Sequence, residues 1–354
     1  MIRRIAWIVV VLAVLALSLG LRLSQTTSAA SATSATGATG PASATGAESP
    51  SATSPPSPWG ANYFPNVPVV THEGKELRFY DDLIKGKIVV VNFIYTSCTD
   101  VCSLTTARLA QVRELLGDRV GRDIFFYSIT LDPVTDGPEV LKKYASNFYN
   151  GPGWLFLTGK PDELELVRNK LGERSRSKKE HRNDVMLGND VTGEWSRDSV
   201  FTDIKRLARV ILDLDPKERD KVHTVANGAN AGQPYALGDT PGQGLFQKAC
   251  AACHTIGQGI RIGPDLAGVT ARRERDWLQR FIARPSKMLA DKDPTALALA
   301  EKFRGLTMPS IGLSENDVGD VLSYLETQTR RIEARRAEVP SAPSSGPASV
   351  QGQD

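Results

Sequence analysis

The run Ile88-Val89-Val90-Val91-Asn92-Phe93-Ile94-Tyr95 limits what this chain can fold into more than any other stretch. An apolar run this short and this rich in β-branched residues reads as a strand buried on both faces, which requires helices on either side of a sheet. The neighbouring segments supply them. Leu104, Leu109, Val112 and Leu115/Leu116 make a helical stripe within Ser103 to Leu116, and Asp123 to Leu131 is a second buried strand. Pro138 opens a helix bearing Val140, Leu141, Tyr144 and Phe148. Trp154 to Thr158 is a strand, and Pro161 at the N1 position starts a helix that runs to Leu171. Upstream, Val69 to Leu77 reads as a hairpin turning at Gly74, followed by a short helical piece from Phe79 to Ile84. Downstream of a basic stretch, Arg174 to Arg182, come a hairpin (Asp184 to Gly188, Glu194 to Ser196) and a closing helix from Phe201 to Leu212. Strands alternating with helices make this an α/β domain.

The pattern then changes. Asp213 to Leu237 dissolves into charged residues and an Ala/Asn/Gly run, as a linker does. Beyond it only helical patterns occur: Gly242 to Cys250, Arg275 to Ala283, Pro294 to Phe303 and Ser314 to Gln328. The last opens on Ser314-Glu315-Asn316-Asp317, an approximate capping box, and carries Val318, Val321, Leu322 and Leu325 on its apolar face. An all-α domain this small needs something besides its own side chains to fill its core.

Gln25 to Pro58 is almost entirely Ser, Ala, Thr, Gly and Pro, and Ile332 to Asp354 is charged and then rich in Ser and Pro, so neither is expected to order itself. At the N-terminus Arg3 and Arg4 precede the uncharged run Ile5 to Leu21, at the short end of what spans a bilayer. It reads as a transmembrane anchor with the arginines cytoplasmic; the competing reading is a cleaved signal peptide with small residues at Ser28-Ala29-Ala30. Either places the bulk of the chain outside the cytoplasm, in a bacterial periplasm. A formal net charge of +3 argues against nucleic acid as a partner.

Four cysteines fall as two close pairs, Cys98/Cys102 and Cys250/Cys253, unlike a disulfide scaffold. Cys250-Ala251-Ala252-Cys253-His254 is the attachment pattern of c-type haem, two thioethers with the adjacent imidazole on the iron. Haem then supplies the missing core. For the sixth ligand, Met308 stands in a loop ahead of the last helix, whereas Met288 can equally pack as core; Trp277 and Tyr324 suit either core or haem contact. Cys98 and Cys102 follow the first buried strand at the start of a helix, where the dipole and free N–H groups favour thiolate. Thiols at that spacing share a soft metal such as Cu(I) or close a disulfide. Of the four histidines, His254 is committed to haem, His223 lies in the linker, His72 reads as surface hairpin, and His181 ends the basic stretch. Asp132 and the charges from Arg174 to Arg182 read as a turn residue and a solvated face, with a docking surface for an acidic partner as the sharper alternative.

Two resemblances sharpen this. The helical region resembles the class I cytochrome c family, with Ile262-Gly263-Pro264-Asp265-Leu266 on the proximal side and Leu306-Thr307-Met308-Pro309 on the distal side, which implies Met308 as axial ligand. His/Met ligation leaves no open position and suits electron transfer. The α/β domain resembles the Sco/SenC copper-chaperone family, a thioredoxin-like group. The resemblance is carried by Phe79-Tyr80-Asp81-Asp82-Leu83, Asn92-Phe93-Ile94-Tyr95-Thr96-Ser97-Cys98, Cys102, Ser128-Ile129-Thr130-Leu131-Asp132-Pro133 and His181. It implies a copper site of Cys98, Cys102 and His181. Thr99 and Ser103 stand where that family commonly has proline, and Glu180-His181-Arg182-Asn183 departs from its usual acidic-His-Thr/Ser neighbourhood.

The expected organisation is a membrane anchor or signal segment (1–23), a linker (24–59), a thioredoxin-like copper domain (60–214), a second linker (215–237), a cytochrome c domain (238–331) and a tail (332–354). The function expected is a periplasmic metallochaperone with a haem electron-transfer domain, delivering copper to the binuclear centre of a cytochrome oxidase subunit and exchanging electrons with other periplasmic redox proteins. The alternative is a thiol–disulfide oxidoreductase that cycles Cys98 and Cys102 with haem as conduit. A peroxidase, the third possibility, would need the iron position that Met308 fills.

Overall fold

The computed structural model describes residues 58–149, 151–219 and 240–338. The expected anchor, the first linker up to residue 57, most of the second linker with His223, and the tail beyond residue 338 lie outside the described residues. Among the described residues no helix is long and apolar enough to cross a membrane.

The α/β part is built on seven strands: β1 (Pro68–Thr71), β2 (Glu76–Arg78), β3 (Ile88–Ile94), β4 (Ile124–Thr130), β5 (Trp154–Thr158), β6 (Asp184–Asn189) and β7 (Glu194–Ser199). Their order across the sheet is β2-β1-β5-β4-β3-β6-β7. The parallel centre is β3, β4 and β5; β1 and β6 flank it antiparallel, and β2 and β7 close the edges. All of β3 is buried. Its alternate residues explain the unbroken apolar run: Ile88, Val90 and Ile94 pack on one face with Leu109, Val112 and Leu141, and Val89, Val91 and Phe93 on the other with Phe79, Leu164 and Val167. Four helices cover these faces: α1 (Cys102–Leu116), α2 (Pro138–Ala145), α3 (Pro161–Lys170) and α4 (Ile204–Leu212). The closing helix starts later than Phe201, because Asp203 caps it by accepting from the Arg206 N–H at 2.9 Å.

The helical part comprises α5 (Pro241–Leu245), which runs into a wider turn at Phe246–Cys250, then α6 (Val269–Arg272), α7 (Arg275–Ala283), α8 (Pro285–Ala290), α9 (Pro294–Lys302) and α10 (Glu315–Glu338). The two short helices α6 and α8 have no periodic apolar stripe by which sequence would reveal them. The capping box forms, with Ser314 donating its N–H and hydroxyl to Asp317 Oδ2 at 2.9 and 2.6 Å. The last helix continues ten residues past Gln328, to Glu338, into the charged start of the expected tail. Ile332 is one reason, since it lies where a Cβ on Gly257 would be, 2.7 Å from its Cδ1. Phe246, Leu278, Ile282, Val318, Val321, Leu322 and Leu325 form the core, all from α7, α10 or the turn after α5. Gly242 lets α5 cross α10 closely, for a Cβ there would run into the Asp320 backbone.

Candidate metal and haem centres

The first centre sits where β3 hands the chain to α1. Cys98 lies in the loop, partly exposed, and Cys102 is the first residue of α1 and buried. Cys98 is surrounded by donors. The Cys102 thiol hydrogen-bonds to its sulfur, as do the N–H groups of Cys102 and Asp100 and the Tyr95 hydroxyl. Led by the Cys102 contact, and against the opposing effect of burial, these donors bring Cys98 down to about 5. The same contact, helped by burial, pushes Cys102 up, because its proton is held between the sulfurs. The pair at neutral pH is therefore one thiolate and one thiol.

His181 reaches this pair from the loop between α3 and β6. It is buried, contrary to the picture of a solvated basic stretch. Its Nε2 lies 3.6 Å from Cys102 Sγ, and its ring meets Tyr95 edge-on at 5.8 Å. Nδ1 faces the Arg182 carbonyl at 3.0 Å. A carbonyl only accepts, so Nδ1 carries a proton, and Nε2 is the ring nitrogen turned to the sulfur. The three side chains meet in series, Cys98 to Cys102 to His181. No group of three or more His, Cys, Asp and Glu side chains is already set around one metal position among the described residues.

The loop is tied down at two further points. Lys178 pairs with Asp132 and lies over the Tyr95 ring, 5.3 Å from its centroid. Asp132, expected as a plain turn residue, is thus an anchor, and the Lys178 hydrogen bond holds its carboxyl below the ordinary range. His72 is also no surface residue: it is half-buried, accepts the Phe156 N–H on Nδ1 at 3.2 Å and packs on the Phe156 ring. It stitches β1 to β5, away from the thiols.

The second centre is an apolar cavity in the helical part. Cys253, His254, Phe281, Phe303, Leu306 and Met308 are among its lining residues. Met308 therefore shares a wall with His254. Met288 instead is buried beside Arg280, Arg284 and Val318 around a different hollow. Trp277 stacks on Phe281 and donates to Asp293, and Tyr324 packs on Phe246; neither lines the cavity. His254 Nδ1 donates to the Pro264 carbonyl at 2.8 Å, leaving Nε2 as the free ligand. Burial pushes this imidazole down, so it is neutral, as an iron ligand must be. Gly263 makes room for it: a Cβ there would stand 2.6 Å from His254 Cε1. Asp265 gathers the turn by accepting from the N–H groups of Gly257, Ala267 and Gly259 at 2.8, 2.8 and 2.6 Å. Burial pushes both Cys250 and Cys253 up to about 12, the state of thiols in apolar surroundings. An apolar cavity, a neutral imidazole fixed through its far nitrogen, a thioether sulfur and two neighbouring cysteines together fit a covalent haem.

The two centres touch, which no motif announces. The Thr99 carbonyl, between the first two cysteines, accepts the Ser310 N–H at 3.0 Å and the Ser286 hydroxyl at 3.4 Å. Ser103, next to Cys102, lines the same apolar cavity as His254 and Met308. Leu104 and Ala107 of α1 pack with Ala252, against which Cys253, Ile262 and Ile311 also lie. Arg108 donates to the carbonyls of Val200 at 2.7 Å in the α/β part and Lys248 at 2.6 Å in the helical part.

Residues 68–189 match the family profile described as SCO1/SenC, and residues 240–329 that of cytochrome c. Among curated proteins the chain is similar to the SCO2-like protein of Rickettsia prowazekii (strain Madrid E), 35% identical over 93 residues, which are 26% of this chain and 44% of that protein. It is also similar to the SCO1 protein homolog of Bacillus subtilis (strain 168), 33% identical over 89 residues, 25% of this chain and 44% of that one. The matched segment thus spans less than half the length of these relatives. Among solved structures, Bradyrhizobium japonicum ScoI with copper bound is 23% identical, covering 42% of this chain and 97% of that one, with a TM-score of 0.35.

Proposed function

Because the chain belongs to the SCO1/SenC family through residues 68–189 and carries a cytochrome c domain at residues 240–329, we propose that it is a membrane-tethered periplasmic copper carrier. Copper is its cargo, held by Cys98, Cys102 and His181 and destined for the binuclear centre of a cytochrome oxidase subunit. The observation that carries this reading is the placement of His181, buried, with its Nε2 3.6 Å from Cys102 Sγ. A thiolate, a thiol that loses its proton on metal binding and an imidazole nitrogen form a soft set suited to copper in either oxidation state.

In the cytochrome c domain, Cys250 and Cys253 would hold the haem by thioethers, with His254 and Met308 on the iron. Bound there, the haem supplies one-electron exchange, the stoichiometry of the Cu(II)/Cu(I) change of the cargo. The chain's own residues place the two sites in register: Ser286 and Ser310 clasp Thr99, and Ser103 walls the cavity.

A second reading, a thiol–disulfide oxidoreductase, is favoured by one observation, the depressed Cys98 beside a protonated Cys102, which is the arrangement of an attacking and a resolving thiol. Metal and haem analysis of the exported portion separates the two, with Cys98→Ser and His181→Ala beside the wild type. A copper carrier holds one copper and one haem, loses copper alone in Cys98→Ser, and loses Cu(II) affinity in His181→Ala. Substoichiometric copper in the wild type, with thiol reduction unaffected by His181→Ala, would establish the oxidoreductase instead.

A further inference from the structure

Glu173 is 1% exposed, far more deeply buried than a carboxylate normally is. It stands just after α3, at the root of the loop that carries His181. Its two oxygens close that loop on itself. Oε1 accepts the Ser175 N–H at 2.9 Å and also the Ser175 hydroxyl. Oε2 accepts the N–H of Arg182 at 3.0 Å. Arg182 is in turn the residue whose carbonyl takes the Nδ1 proton of His181. One residue's backbone is thus held at its N–H by the buried carboxylate, and at its C=O it holds the imidazole.

We propose that Glu173 is the positioning residue of the copper site, fixing through the Arg182 backbone the tautomer and direction with which His181 presents Nε2 to Cys102. The inference rests on His181 being a copper ligand. Only a carboxylate fills this role. Every group facing Glu173 in these contacts is a donor, so an amide could satisfy one side and would set its own NH₂ against the other. With its oxygen turned to the two Ser175 donors, a glutamine would confront the Arg182 N–H and displace the backbone that orients the ring. A ligand's outer partners typically change metal affinity by about 10–100-fold.

The test compares Glu173→Gln with His181→Ala and the wild type in the full haem-loaded protein, titrated with Cu(II) and separately with Cu(I). The readouts are affinity, the nitrogen hyperfine coupling of bound Cu(II) in electron paramagnetic resonance, and thermal unfolding. The expected result for Glu173→Gln is a Cu(II) affinity roughly 10–100-fold weaker with diminished nitrogen coupling, while Cu(I), held by the two sulfurs, binds as in the wild type. Wild-type Cu(II) affinity and coupling in Glu173→Gln, where His181→Ala has lost both, would overturn the positioning role and leave the copper site standing. Wild-type behaviour of His181→Ala would remove the ligand itself, and the proposal with it. Should Glu173→Gln fail to fold, Arg182→Pro deletes the same N–H from the exposed side of the contact. His181 already has the extended backbone (φ −64°, ψ 152°) that a following proline demands. The same loss of nitrogen coupling is expected there, and an unchanged spectrum overturns the proposal.

Discussion

At the scale of single residues, the chemistry is set by where protons sit. Cys98 is brought to about 5 by the Cys102 thiol and the surrounding N–H and hydroxyl donors, whereas Cys102 keeps its proton. In the reduced, copper-free protein, Cys98 should react with iodoacetamide at a rate that stays level from pH 8 to 6 and halves near pH 5. Cys102→Ala removes the main donor and should carry the midpoint back toward the ordinary value of about 8.5. A wild-type midpoint already near 8.5, followed by mass spectrometry of the alkylated peptide, would contradict the hydrogen-bond geometry. Asp265 behaves likewise for a structural reason. Burial alone would push its carboxyl up, and the N–H groups of Gly257, Ala267 and Gly259 outweigh it to give about 2. A carboxyl depressed in the folded state adds stability that is full above the unfolded value of about 4 and is lost as pH falls toward 2. Urea unfolding as a function of pH should therefore steepen between about 4 and 2 in the wild type, and this part of the slope should vanish in Asp265→Asn.

At the scale of elements, what can be read in advance depends on where the stabilising partners are. The strands β3, β4 and β5 are legible because burial on both faces leaves continuous apolar runs, and α7 because one buried face sets Leu278 and Ile282 a helical turn apart, whereas the burial of α1 all round from Leu104 to Ala110 takes in Thr105, Thr106 and Arg108 and is not legible. Cys98, Cys102 and the Cys250 to His254 motif are legible because the chemistry needs those side chains at those spacings. The role of Glu173 is not, since two of its three donors are backbone N–H groups, which every residue but proline possesses. His72 misleads for the same reason, as its partner is the Phe156 N–H. The burial of His181 is not legible, because its neighbours Lys179, Glu180 and Arg182 are exposed while it alone turns inward. The crossing of α5 on α10 rests on one glycine that resembles any other in the sequence. Gly242→Ala would put a methyl group into the Asp320 backbone, and the forced separation of the helices should cost about 1–3 kcal/mol in urea unfolding of the haem-loaded protein. An unchanged midpoint would mean that α10 can shift without loss.

At the scale of the whole molecule, the contact between the α/β and helical parts decides whether the two centres act as neighbours or as independent modules. Its polar links are of unequal weight. The Arg261–Glu114 ion pair, 2.6 Å long but with a Glu114 side chain 58% exposed, belongs to a class worth about 0–1 kcal/mol. Arg108 is different: it is 3% exposed and serves the carbonyls of Val200, Thr202 and Lys248 across the seam, so removing it strands the buried Val200 acceptor and cuts the link to Lys248. The apolar part is small but dry, with Ala107 of α1 fully buried and Ala252 of the haem motif 1% exposed. Glu114→Gln should accordingly leave the two parts docked, and raised salt should not separate them. Ala107→Glu places a charge in the seam without replacing any cysteine, histidine or cavity-lining residue. It should leave haem attachment and copper binding intact while freeing the parts, seen as a larger radius of gyration in small-angle scattering and faster proteolysis between residues 215 and 240. The same variant reads out the redox relation. If Cu(II) bound at Cys98 and Cys102 is reduced in the wild type only as fast as in Ala107→Glu, the Thr99 and Ser103 contacts serve packing alone, whereas a markedly slower reduction in the variant makes them the reason the two domains share one chain.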